Sequence, residues 1–151
     1  MKRQALISLF VVLAGTCAGQ TFAHIDGRFR QVRESALFAE PAVETGRFTF
    51  DAPDHVLWQY DSGSAADLPA PVLRFISGAV GGSLFTDNDD FAVMQTSDGF
   101  ILTPKKARMS KWFDRIEVRL DARGIAEEVV MHEPSGDVTH IFFENMQAQT
   151  Q

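Results

Sequence analysis

Residues 100–145 read FILTPKKARMSKWFDRIEVRLDARGIAEEVVMHEPSGDVTHIFFEN. No other stretch limits the fold as strongly. Three short segments alternate apolar and polar residues, with little between them but Arg123-Gly124 and Ser135-Gly136. Alternation sends successive side chains to opposite faces of a strand, and glycine in a short polar link supplies a tight turn. In residues 115–120, Ile116, Val118 and Leu120 share one side, while Arg115, Glu117 and Arg119 share the other. Residues 125–131 and 138–143 are expected to continue the sheet. Such a sheet has one apolar face that must be covered. The stretch carries no nucleophile motif, metal spacing or phosphate loop, which points to a container rather than an enzyme.

The preceding residues extend the pattern. Residues 27–38 read as a first strand with Phe29, Gln31 and Arg33 on one side. Thr45-Gly46 punctuates, and residues 47–50 then alternate, with Phe48 and Phe50 on one face. Ala52-Pro53-Asp54 is a turn. Residues 56–60 form a strand rich in sheet-forming side chains. Residues 61–66 make a Gly/Ser loop. Over residues 68–80, Leu68, Val72, Phe75, Ile76 and Val80 recur at nearly helical spacing; Pro69 and Pro71 suit a first turn, and Gly81-Gly82 ends the segment. Residues 91–96 and 100–103 form a hairpin around Ser97-Asp98-Gly99. Residues 105–112 are a basic amphipathic connector, and residues 147–151 read as a frayed end. One small helix cannot cover so much sheet, so the sheet must curl onto itself. The expected fold is mainly β (α+β): a curved antiparallel sheet, or incomplete β-barrel, with a short helical lid.

The N-terminus reads as a secretory signal peptide over residues 1–23. Lys2 and Arg3 precede an apolar run, residues 5–14, that is interrupted only by Ser8. That run is too short for a membrane span, which needs about 20 residues. Thr21-Phe22-Ala23 supplies small residues for cleavage, and Thr16-Cys17-Ala18 is a second possible cut. Residues 24–151 are then a single exported domain. Cys17 is the one cysteine, and either cut leaves a chain without a thiol, stabilised by packing and not by disulfides. Lys2 and Arg3 leave with the signal, so the net charge of −6 becomes −8. That acidity, without a basic run of five or more, argues against nucleic acid and anionic membrane surfaces as partners. Thirteen Phe against one Tyr provide bulk without a polar handle, which suits an apolar core or pocket.

Reactive constellations are sparse. His132 and His140 fall on neighbouring expected strands, with Glu133 adjacent, but a metal site needs three or more converging ligands. Residues 86–90 resemble part of a calcium loop but lack its glycine and its closing glutamate. No G-x-S-x-G occurs. Lys105, Lys106, Arg108 and Lys111 form a local basic patch, read as a solvated connector. No catalytic residue, metal or cofactor is expected.

Several strings, taken in order, resemble the periplasmic outer-membrane lipoprotein carrier (LolA-like) family. They are Phe29-Arg30-Gln31 with Arg33, Gly46-Arg47-Phe48-Thr49-Phe50, Pro53 followed by Val56-Leu57-Trp58, Leu102-Thr103-Pro104 before a basic stretch, residues 116–120, and Gly136-Asp137-Val138-Thr139 leading to Ile141-Phe142-Phe143 and Asn145. The resemblance covers most of residues 24–151 and marks the chain as a divergent, shortened member, with Ala52 where the carriers place a functional arginine. It implies an unclosed antiparallel barrel with a helical lid that shelters acyl chains during transport to the outer membrane. The implied partners are acylated lipoprotein or lipid cargo, an inner-membrane export complex and an outer-membrane receptor. The lipid-binding lining is expected at Phe48, Phe50, Trp58, Leu73, Phe75, Ile76, Ile116, Val118, Leu120, Val129, Met131 and Phe143. The alternative is a periplasmic interaction or accessory module of an envelope export system that kept the fold but not the pocket.

Overall fold

A computed structural model describes residues 22–63, 76, 78, 79 and 88–150. Its strands are β1 (Phe22–Glu34), β2 (Ala42–Asp51), β3 (His55–Tyr60), β4 (Phe91–Gln95), β5 (Gly99–Pro104), β6 (Arg115–Leu120), β7 (Ala126–His132) and β8 (Val138–Thr150). They form one eight-stranded sheet in the order β3-β2-β1-β8-β7-β6-β5-β4. Every pairing is antiparallel. Two meanders, β1–β3 and β4–β8, are joined where the first strand pairs with the last. Both of these central strands are 13 residues long, whereas the edge strands β3 and β4 have 6 and 5. Short edges restrict edge-to-edge pairing with other chains. The expected mainly β, curved and unclosed architecture is the one observed.

The register explains which face is buried. Ile25 opposes Phe50, Gly27 opposes Phe48, and Phe29 opposes both Gly46 and Phe143. Across the sheet, Ile141 opposes Val129, which opposes Val118. All of these side chains point inward, and the hydrophobic ones are buried in a single cluster. Ile76 and Ala79 are helical and belong to the same cluster, so the helical segment packs on the inner face. The rest of the expected helix, including Leu73 and Phe75, lies outside the described residues. Gly124 and Gly136 close the two tight turns at φ of 84° and 92°, a region that glycine adopts without steric cost. The connector contains one helical turn, Ala107–Ser110, which buries Met109. Phe113, just beyond it, packs its ring 6.5 Å from that of Phe91.

Several expected boundaries are corrected. The first strand spans Phe22–Glu34 and not residues 27–38. The chain turns after Glu34, and Phe38 N–H donates to Ser35 O, leaving Leu37 89% exposed at the tip. Gly46 is not punctuation: it lies inside β2, where the Phe29 ring rests against it. Residues 147–150 are not frayed, because β8 runs to Thr150 opposite Phe22. Bulges concealed this pairing. At Asn145, with φ of 52°, β8 gains an extra residue relative to β1. Inward positions before it are odd-numbered (Thr139, Ile141, Phe143), and after it Met146 and Ala148 pack on the core. A bulge moves the inward phase by one residue, and asparagine tolerates the left-handed conformation that this one requires. A second bulge, between Phe22 and His24, does the same in β1.

Candidate functional site: the inner face of the open sheet

Nine of the twelve expected lining residues are buried in the one core cluster: Phe48, Phe50, Trp58, Ile76, Ile116, Val118, Val129, Met131 and Phe143. Leu120 is partly buried against it, and Leu73 and Phe75 lie outside the described residues. The inner face is divided by chemistry. Over β5, β6 and β7 it is mainly aliphatic, with Leu102, Ile116, Val118, Val129 and Met131, and the partly buried Phe100 packs beside them. Over β1, β2, β3 and β8 it is aromatic. Phe29 stacks on Trp58 with centroids 3.7 Å apart and planes 16° apart, and meets Tyr60 edge-on at 5.5 Å. Phe143 meets Phe48 edge-on at 5.0 Å and Trp58 at 6.2 Å. Two glycines make room for these rings. The Phe48 ring lies over Gly27 and the Phe29 ring over Gly46; neither strand has a Cβ in the way.

The sequence pattern did not place Phe29, Ile25, Leu102 or Ile141 in the lining, although all four are inward and fully buried. Strand alternation within residues 100–103 and 139–143 carried the signal for Leu102 and Ile141. For Ile25 no local pattern did, because the bulge disturbs its phase relative to Phe22.

One corner of the aromatic half is polar. Tyr60 Oη donates to Gln31 Oε1 at 3.4 Å. Trp58 is 5% exposed, and its indole N–H has no hydrogen-bond partner among the described residues. It stands near enough to Tyr60 for the phenol to feel it, without reaching bonding geometry. Burial, together with the charge of Glu44, pushes the Tyr60 hydroxyl above its ordinary value of 10.0, only partly offset by Trp58 and Gln31. The phenol is therefore neutral at physiological pH.

The outer face is polar and ion-paired. Arg119 bridges Glu127 and Glu128. These carboxylates are consecutive, yet they share a side because the bulge at Glu127 interrupts alternation in β7. Asp61 is held below the usual carboxylate range by the Thr45 hydroxyl, with Arg28 and Arg47 adding to the effect. His132 pairs with Glu117 at 3.0 Å and His140 with Glu128 at 3.7 Å, so the two histidines serve different carboxylates. No group of three potential metal ligands occurs among the described residues. The basic patch is tied down at two points: Arg108 pairs with Asp90, and Lys105 donates to Asn88 O at 2.9 Å. Asn88 Oδ1 in turn accepts the N–H groups of Asp90 and Phe91, an Asx turn leading into β4. An open groove of about 230 Å³ crosses this face, lined by Ile101, Val130, Glu117, Arg119 and Glu128 among others. Ala52 packs its methyl group against the core in the β2–β3 turn, so position 52 offers no guanidinium to latch a lid. Among the described residues no helix is long and apolar enough to cross a membrane.

No protein-family model matches the chain, and no curated protein matches it. Among solved structures, 28 chains match. One is the crystal structure of a domain from Vibrio parahaemolyticus described as an outer membrane lipoprotein-sorting protein. It is 10% identical, covers 85% of this chain and 86% of its own, and superimposes with a TM-score of 0.42.

Proposed function

We propose that this protein is a periplasmic carrier that shelters the acyl chains of lipoproteins or lipids against the inner face of its open sheet on the way to the outer membrane. The observation that carries this reading is the continuous apolar inner face, from Trp58 on β3 to Leu102 on β5, in a sheet whose end strands β3 and β4 are not joined to each other. Transfer of hydrocarbon out of water gains about 0.8 kcal/mol per CH₂. Even partial cover of an acyl chain therefore yields useful affinity, while an unclosed sheet leaves a route for release. Among the described residues no group of metal ligands competes with this reading, on which the protein is a non-enzymatic chaperone delivered by its signal sequence. An inner-membrane donor complex and an outer-membrane receptor are its natural partners.

The purified protein should take up N-phenylnaphthylamine, a neutral apolar fluorophore, and release it when a triacylated lipopeptide is added. No uptake at any protein concentration would sink the carrier reading. A second reading is favoured by one observation, the close mutual packing of Phe29, Trp58, Phe48 and Phe143, by which the aromatic half fills itself. On that reading the chain is an accessory or interaction module of an envelope export system. It then binds its membrane partner without taking up the fluorophore.

The signal-peptide reading carries a more specific expectation. Phe22 is 5% exposed and opposes Thr150, and Ala23 O accepts the Ala52 N–H at 2.9 Å. Cleavage after Ala23 removes both residues from β1, whereas cleavage after Ala18 retains them. The intact mass of the exported form should therefore correspond to a chain beginning at Gly19. A mass corresponding to His24 as first residue would contradict this.

A further inference from the structure

We propose that the Trp58 indole N–H, with Tyr60 and Gln31 beside it, is a recognition point for the carbonyl oxygen of an ester- or amide-linked acyl chain. The inference rests on the carrier reading and names what that interior selects. Three facts support it. First, a buried N–H without an acceptor costs free energy that a ligand acceptor recovers, and Trp58 is the one buried side-chain donor left unsatisfied among the described residues. Second, this donor sits within the rings of Phe29, Phe48 and Phe143, where the rest of an acyl chain would lie. Third, the neighbouring groups favour a neutral acceptor. Trp58 and Tyr60 lie on one face of β3, and Tyr60 opposes Gly46. In the next row Gln31 opposes Glu44, so a carboxylate charge stands near the phenol and no described cation pairs with this corner. Arg33, the nearest base on the same face of β1, is engaged by Asp137 and Glu133. A free fatty acid brings a second negative charge to this corner, whereas an ester or amide brings only a carbonyl dipole. The corner thus distinguishes acylated cargo from free fatty acid, a choice that hydrocarbon burial alone does not make.

The test is competition against N-phenylnaphthylamine at neutral pH by four ligands of equal chain length: methyl palmitate, N-methylpalmitamide, palmitic acid and hexadecane. The wild-type protein should bind the ester and the amide roughly three- to tenfold more tightly than hexadecane, the worth of one neutral buried hydrogen bond, and palmitic acid more weakly than either. Stronger binding of the amide than the ester points to the N-acyl group of cargo, and the reverse to an ester-linked chain; both support a carbonyl site. Trp58→Phe keeps an aromatic ring beside Phe29 and removes the donor together with the five-membered part of the indole, a loss of apolar contact that hexadecane affinity reports separately. It should cost the ester and the amide more affinity than hexadecane, so that their preference over hexadecane disappears. Circular dichroism checks that the variant folds, and if it does not, the four-ligand ranking on wild type decides alone. Equal affinity for ester and hexadecane, or an unchanged ester preference in Trp58→Phe, overturns the carbonyl site while leaving the carrier reading intact. Absence of fluorophore uptake by the wild type overturns both.

Discussion

Replacing Phe29 by Ala should lower the unfolding free energy by about 4 kcal/mol, within the range for large aromatic-to-alanine changes in a packed core. Phe29 is 1% exposed and sits at the junction of three strands. It stacks on Trp58, meets Tyr60 edge-on, and lies opposite Phe143 in the pairing that joins the two meanders. Removing it opens a void whose neighbours are held by strand backbones and cannot collapse into it. A domain of this size has a total stability of roughly 5–15 kcal/mol, so the variant should be marginally folded at room temperature. Urea denaturation gives the value, and a loss below about 1.5 kcal/mol would show that the aromatic cluster is looser than its geometry indicates.

Gly46→Ala should be nearly as damaging, for the opposite reason. A Cβ at this position falls 2.0 Å from the Gln59 carbonyl oxygen and 2.5 Å from Phe29 Cζ. The first obstacle is backbone of the adjacent strand, which cannot move without breaking the β2–β3 ladder. The expected cost is about 3 kcal/mol, at the upper end for overpacking by one methyl group. At Gly27 the nearest atom to an added Cβ is 3.0 Å away, so Gly27→Ala should be milder. The two large effects should also couple. With Phe29 reduced to Ala, the ring contact disappears and the Gln59 contact remains. Gly46→Ala in that background should therefore cost less than in the wild type, with an interaction of about 1 kcal/mol or more in a double-mutant cycle. Strict additivity would mean that the ring does not rest on the glycine.

Much of the architecture was legible because strand periodicity is a local property. Residues 115–120 alternate without interruption, and the observed strand has those bounds. The turns at Gly124 and Gly136 and the inward pair Phe48 and Phe50 were readable for the same reason. Where alternation fails, so did the reading. Asn145 and Ala23 each insert a residue and flip the inward phase, which hid the long continuations of β1 and β8. Gly46 resembled a breaker because glycine is usually read as one. Its real role depends on a ring seventeen positions earlier in the chain that reaches it only across the β1–β2 pairing.

The lining divides the same way. Phe48, Trp58, Val118 and Val129 could be named in advance, since each is apolar at an alternating position. Their burial in one cluster is a property of the assembled sheet. The orphaned Trp58 N–H was not foreseeable, because whether a donor finds an acceptor depends on groups brought close by non-local pairing.

The order of residues alone decided that this chain is an antiparallel β protein with one apolar face, since side-chain alternation and turn chemistry are set by immediate neighbours. Only the tertiary structure decided that the first and last strands meet, that bulges rephase both, and that aromatic rings settle onto glycines to make one half of the interior unlike the other. Those outcomes depend on pairing between residues up to 128 positions apart, as for Phe22 and Thr150, and no local pattern specifies contacts at that distance.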